Sequence, residues 1–267
     1  MKNENGADDL DQLDILDERW VTEVLEAITD NRISLVVHGV HSIESPNAVL
    51  YGECLTHLVS KTGKNYSTGH FRPLLDIWEK TSLLDRHVLR MALDELEANP
   101  HAVRGCNTSA DSVVNSGEWT KTKGVLLERS SLLPRLILEI KEPHFLGDMV
   151  TAKRWLEEAR ELGCRIAIDD FGSGHAAPIQ LLALDVDIIK IDVLFAHHIR
   201  ASRIRGNSLI HMVGLAACSA PVIVVEGVET EEQLQMAYQA GATHVHGYHL
   251  SRPMERPSLK EGRFAAS

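Results

Sequence analysis

Two rhythms of apolar and polar positions run along this chain. Short runs rich in β-branched residues recur at ISLVVH (33–38), AVLYGECL (48–55), AVRGCN (102–107), LILEI (136–140), RIAID (165–169), DIIKID (187–192), VIVVEG (222–227) and THVHGY (243–248). Between most of them lie longer stretches whose apolar residues stand three or four apart, the spacing of one helix face. Alternating strands and helices predict an α/β fold with a largely parallel sheet, and eight strands predict a barrel. The first two runs are joined only by GVHSIESPNA, too short for a crossover helix, so they are expected to pair antiparallel. The expected fold is therefore a modified (β/α)8 TIM-like barrel with an antiparallel first strand. Upstream, residues 8–29 place Leu10, Leu13, Leu16, Trp20, Val24 and Ile28 on one face behind a run of acids, which suits a helix N-terminus. Residues 1–30 thus read as an acidic amphipathic helix packed on or leading into the barrel, 31–255 as the barrel, and 256–267 as a polar tail.

Composition narrows the class without naming a chemistry. At 267 residues and 44% hydrophobic, the chain can bury one substantial core. A formal charge of -11 argues against DNA, RNA or an anionic membrane surface as partner, since those call for basic patches. No run of 18 apolar residues occurs and the N-terminus is acidic, so neither a membrane span nor a signal peptide is expected, and a cytoplasmic location follows. Cys54, Cys106, Cys164 and Cys218 stand far apart in apolar contexts and read as reduced, mostly buried thiols. Cys54, next to the polar Glu53, is expected to turn outward and pack against helices.

The chemistry gathers at the strand ends. Glu53, Asn107, Glu139, Asp169, Asp170, Lys190, Asp192 and Glu226 all follow or close an apolar run. In a parallel barrel those ends converge on one rim. Carboxylate and amide oxygens are hard ligands that suit Mg2+ or Mn2+ better than zinc. The adjacent Asp169 and Asp170 form a natural bridge for two metals about 3.5–4 Å apart, the arrangement that supports in-line displacement at phosphorus. A lysine beside them can orient water or neutralise phosphate charge. His244-x-His246 resembles the paired histidines of amidohydrolase barrels, but the remaining strand ends carry Asn, Glu and Asp instead of the further histidines that reading requires.

These motifs resemble the EAL-domain cyclic di-GMP phosphodiesterases over residues 30–255. E-C-L (Glu53–Leu55) resembles E-A-L, C-N-T-S (Cys106–Ser109) resembles I-N-L-S, and E-I-K-E (Glu139–Glu142) resembles E-I-T-E. IAIDDFGSG (166–174), DVDIIKID (185–192), VVEGVETEEQL (224–234) and HGYHLSRPM (246–254) complete the set in order. The resemblance implies that Glu53, Asn107, Glu139 and Asp169 hold one metal and that Asp169, Asp170 and Glu226 serve a second. It implies further that Lys190 positions the hydrolytic water and that Glu142 holds the loop after the D-D-F-G strand. The implied cofactors are two Mg2+ or Mn2+ ions, with Ca2+ inhibitory; the implied partners are cyclic di-GMP and a second copy of the chain. Departures fall on substrate-contacting positions. His57 stands where the family has a phosphate-gripping arginine, His38-Gly39 for Q-P, Asp76 for the glutamate of F-I-P-x-A-E, and His246 for the glutamine of Q-G-Y; Leu55 keeps its place. Residues 175–178 (HAAP) replace Y-S-S-L. The acids argue for hydrolysis to pGpG. The altered contacts leave a second reading, a weak or inactive domain that acts as a cyclic di-GMP receptor or binds a protein partner.

Overall fold

The computed structural model describes residues 18–109, 112–113, 115–141, 149–174, 181–203 and 205–256. The expected helical stretch 8–17, Glu142, residues 175–178 and all of the expected tail 256–267 except Arg256 lie outside them. The strands are β1 (Ile33–Ser42), β2 (Val49–Val59), β3 (Asn65–Ser67), β4 (Arg104–Thr108), β5 (Leu136–Lys141), β6 (Arg165–Phe171), β7 (Ile188–Ile191), β8 (Val222–Val225), β9 (His244–His246) and β10 (Met254–Arg256). Eight of them close in the order β1-β2-β4-β5-β6-β7-β8-β9 and back to β1. Neighbours from β2 round to β9 are parallel, and β1 is antiparallel to both of its barrel neighbours. The expected barrel with an antiparallel first strand is the fold observed. The short β3 and β10, which no apolar run announced, add antiparallel to β2 and β1.

The helices are α1 (Glu18–Thr29), α2 (Thr68–Ile77), α3 (Thr81–Ala98), α4 (Ser116–Leu127), α5 (Met149–Glu161), α6 (Val193–His197), α7 (Ser208–Ala216) and α8 (Glu231–Ala240). Several of them begin with ordinary capping chemistry. The Asn115 and Asn207 side chains cap α4 and α7, and Thr230 with Gln233 forms a capping box on α8. Their apolar stripes pack on the outward faces of the strands, where Cys54 and Cys106 lie buried together with Leu58, Phe71 and Leu93. That is the outward packing expected of Cys54. Helix α1 buries Val21, Val24 and Ala27 in the same layer, and Trp20 meets the edge of Tyr66 at 4.7 Å. Among the described residues no helix is long and apolar enough to cross a membrane.

A separate cluster fills the barrel: Val40, Tyr51, Ile137, Ala167, Ile188 and Val224. Strand alternation decides what stands above it, because residues two apart share a face. Two positions on from Tyr51, Ile137, Ala167, Ile188 and Val224 come Glu53, Glu139, Asp169, Lys190 and Glu226. On the reversed strand β1, the residue two before Val40 is His38, which lies opposite Glu53. One apolar layer thus seals the barrel beneath one layer of ionisable groups.

Candidate active site

Lys190 is the centre of that polar layer. Its Nζ lies 2.9 Å from Glu53 Oε2, 2.8 Å from Glu139 Oε2, 2.7 Å from Asp169 Oδ1 and 3.0 Å from Glu226 Oε1. Carboxylates of β2, β5 and β6 and one immediately after β8 therefore surround one ammonium, which is only 1% exposed. Burial opposes its charge, but the four carboxylates outweigh burial and hold Lys190 well above the ordinary lysine range. The acids respond unequally. Burial pushes Glu139 and Asp169 up, with help from neighbouring carboxylates. Burial also opposes ionisation of Glu53, yet Lys190, His246 and a 3.1 Å hydrogen bond from Asn107 Nδ2 bring it down to about 2.

Local structure explains how each side chain arrives. Gly105 on β4 leaves the room that Glu139 uses, since a Cβ there would fall 1.9 Å from Glu139 Oε1 and 2.5 Å from the Tyr51 ring. Asn107 lies two residues on, and the chain just beyond it is tied to Asp85 of α3, whose carboxylate accepts from Ser109 N at 2.7 Å and Ser112 Oγ at 3.1 Å. Arg72 of α2 approaches the same carboxylate at 3.4 Å. Adjacent residues of a regular strand face opposite ways, so Asp169 and Asp170 cannot both reach the rim without a distortion. The β6–β7 register shifts between Ile168 and Phe171, and Asp170 adopts a left-handed φ of 55°. Asp tolerates that conformation better than most residues, and the bulge turns the second carboxylate inward.

Two groups of donors converge closely enough to share a cation. Asp169, Asp170 and Glu226 form one, and Glu53, Glu226 and His246 the other, with the ligand atoms of each group within 4.8 Å of one another. With all four ionised, Glu53, Glu139, Asp169 and Glu226 would set four negative charges against one on Lys190, a formal excess of three that burial of Glu139 and Asp169 resists. Glu139 Oε1 is buried with no hydrogen-bond partner among the described residues. Surplus buried charge and an unused carboxylate oxygen are what divalent cations would satisfy, so the donor set fits the metals that the sequence suggests.

The remaining expected contacts are spread more widely. Leu55 and His57 lie on the Glu53 face of β2, both partly buried, with His57 paired to Ser34 on one side and Ser67 on the other. Asp76 is exposed on α2 and accepts from the Thr81 hydroxyl at 2.7 Å, at the start of α3. Asp192 stands apart from the cluster, capping α6 through Leu194 N at 2.8 Å. His246 Nδ1 faces Glu53 Oε2 at 3.7 Å and Glu226 Oε1 at 3.5 Å. Glu142 lies outside the described residues.

Two neighbours, Lys141 and Tyr248, were not singled out from sequence. Lys141 of β5 pairs with Asp170, placing a cation on one of the candidate metal ligands. The ring of His38 lies 4.2 Å from that of His246 and stacks on Tyr248 at 5.5 Å. Burial first, then His246, push His38 down to about 4, so it is neutral at pH 7. The paired register of β5 with β6, which sets Lys141 opposite Asp169, is the signal that would have found Lys141. A strand list alone does not supply it.

Comparison with known proteins follows the same lines. The EAL domain family matches residues 21–253. The cyclic di-GMP phosphodiesterase PdeF of Escherichia coli (strain K12) is 27% identical over 232 residues, which are 85% of this chain and 31% of the relative. The chain spans about a third of the length of the curated relatives it matches first. Among solved structures, the PaMucR phosphodiesterase in complex with c-di-GMP superposes with a TM-score of 0.76 at 24% identity, covering 91% of this chain and 99% of that one. The Vibrio cholerae LapD S helix-GGDEF-EAL protein bound to c-di-GMP gives 0.78 at 19% identity, covering 86% and 56%. At these identities the structural likeness speaks for the fold.

Proposed function

The chain belongs to the EAL domain family, and from that premise we propose that it is a metal-dependent phosphodiesterase that opens cyclic di-GMP to the linear dinucleotide pGpG. The observation that carries the reading is the buried ring of Glu53, Glu139, Asp169 and Glu226 about Lys190. In this reading Glu53, Asn107, Glu139 and Asp169 hold one ion, and Asp169, Asp170 and Glu226 hold the second. Bound Mg2+ or Mn2+ supplies positive charge against the phosphate and makes a nucleophile available near neutral pH. Lys190 Nζ donates toward the attacking water and orients it for in-line approach. The water oxygen bonds to phosphorus as the bond to the 3′ oxygen breaks, leaving a 3′ hydroxyl and a 5′ phosphate. The apolar layer below keeps bulk water from entering through the barrel. Leu55, His57 and Asp76 line the approach as nucleotide contacts, and Glu142 supports the loop after β6.

A second reading, a receptor with little or no turnover, draws on two observations. His57 offers less than the forked arginine expected there. Lys141 is already paired with Asp170. Purified protein incubated with cyclic di-GMP and Mg2+ or Mn2+, with products separated by chromatography, decides between them. Conversion to pGpG that Glu53→Ala and Asp169→Ala abolish supports the phosphodiesterase. Tight binding without product supports the receptor, and conversion undiminished in both variants rules out this site.

A further inference from the structure

We infer that His246 is itself a metal ligand, and that its imidazole nitrogen makes this centre prefer Mn2+ and later transition ions to Mg2+. The inference rests on the metal-dependent reading above and revises it in one respect: Glu53 and Glu226, assigned there to different ions, share one with His246. His246 Nδ1 is 3.7 Å from Glu53 Oε2 and 3.5 Å from Glu226 Oε1. Those separations are too long for good hydrogen bonds, which fall at about 2.7–3.2 Å. Ligands each about 2.1 Å from one ion, at angles between square and trigonal, stand roughly 3.0–3.6 Å apart, a range that holds the Glu226 separation and that the Glu53 separation passes by a small margin.

The ring is held where it is. His246 O accepts from Val228 N at 3.1 Å. Gly247, at φ +156°, is pressed so closely on Val228 that a Cβ would fall 2.2 Å from the Val228 carbonyl oxygen. On its other side the ring meets His38, whose Nε2 is fixed by Ser251 O at 2.9 Å. Lys190 contacts the same two carboxylate oxygens that face Nδ1, at 2.9 and 3.0 Å, and so keeps them presented to it.

A structural histidine buried in a core normally spends its ring nitrogens on hydrogen bonds. Here Nε2 is buried with no hydrogen-bond partner among the described residues, and Nδ1 faces the two carboxylates in a group of donors within 4.8 Å of one another. All-oxygen sites suit Mg2+, whereas imidazole raises affinity for Mn2+ and the ions after it more than for Mg2+.

Pulsed electron paramagnetic resonance of Mn2+ bound to tag-free protein tests this without reference to turnover. Native protein is expected to show 14N modulation from a coordinated imidazole, and His246→Gln, which keeps an oxygen donor, is expected to lose it. Mn2+ titration should show the variant's affinity reduced by roughly tenfold or more, the scale seen when a metal site loses a supporting group. Its Mg2+ affinity should change less. If Mn2+ binds without 14N coupling, or if the coupling survives in His246→Gln, the inference fails while the metal-dependent reading stands. If native protein binds no Mn2+ at all, both fail together.

Discussion

Lys190→Met should make the stability of this protein depend on divalent metal. The substitution keeps most of the side chain's volume and removes the ammonium that now contacts Glu53, Glu139, Asp169 and Glu226 at 2.7–3.0 Å. The formal excess of negative charge in the layer rises from three to four, in a place where Glu139 is wholly buried and Lys190 only 1% exposed. Removing one partner of a buried ion pair costs about 3–5 kcal/mol, because the remaining charge is left without compensation. At roughly 2–4 °C per kcal/mol for a domain of this size class, the unfolding midpoint in EDTA should fall by about 6–20 °C. Divalent ions can stand in for the lost charge, and an ion at a hundred times its dissociation constant stabilises by about 2.7 kcal/mol. Thermal or urea unfolding, followed by circular dichroism in EDTA and in Mg2+, measures both. The expected result is a large gap between variant and native protein in EDTA that narrows in Mg2+. Equal midpoints in EDTA would refute the claim that Lys190 balances this layer.

Two further predictions probe its neighbours. Gly105→Ala drives a methyl group into Glu139 Oε1 and the Tyr51 ring, at 1.9 and 2.5 Å in the present geometry, so overpacking should cost about 1–3 kcal/mol and weaken Mn2+ binding as Glu139 is displaced. Unchanged stability and Mn2+ affinity would mean that Gly105 does not set the position of Glu139. His57→Arg should tighten cyclic di-GMP binding by roughly ten- to a hundredfold, since a hydrogen bond to a charged group contributes about 1.5–3 kcal/mol and about 1.4 kcal/mol is tenfold. Calorimetry in Ca2+, whose longer bonds should allow binding but not turnover, reads this directly. No change in affinity would remove His57 from the ligand's path.

What the sequence reveals and what it hides have separate physical causes. The barrel was legible because its strands are nearly continuous apolar runs, each buried on both faces, and the acids were legible because each interrupts such a run. β3 and β10 escaped notice: NYS (65–67) and MER (254–256) are three residues each and carry no period. Asp192 follows the same apolar run as Lys190, yet its carboxylate turns to the backbone of α6, a choice that only helix capping explains. Asp169 and Asp170 could be named as a pair, but the left-handed backbone that brings both inward is not written in the letters. The cross-strand meetings of Lys141 with Asp170, and of His246 with Glu53 and Glu226, depend on register and closure, and His246 meets Glu53, far away along the chain, only once the barrel exists.

Hydrolysis in 18O-labelled water tests the central claim most directly. Cyclic di-GMP is incubated with the protein and Mg2+ or Mn2+, and the product is weighed by mass spectrometry. If the ring of carboxylates about Lys190 serves a phosphodiesterase, pGpG should form with one 18O atom, carried on its 5′ phosphate, and Asp169→Ala should form none. Cyclic di-GMP that stays intact with both metals, at concentrations where binding is saturated, would contradict the account.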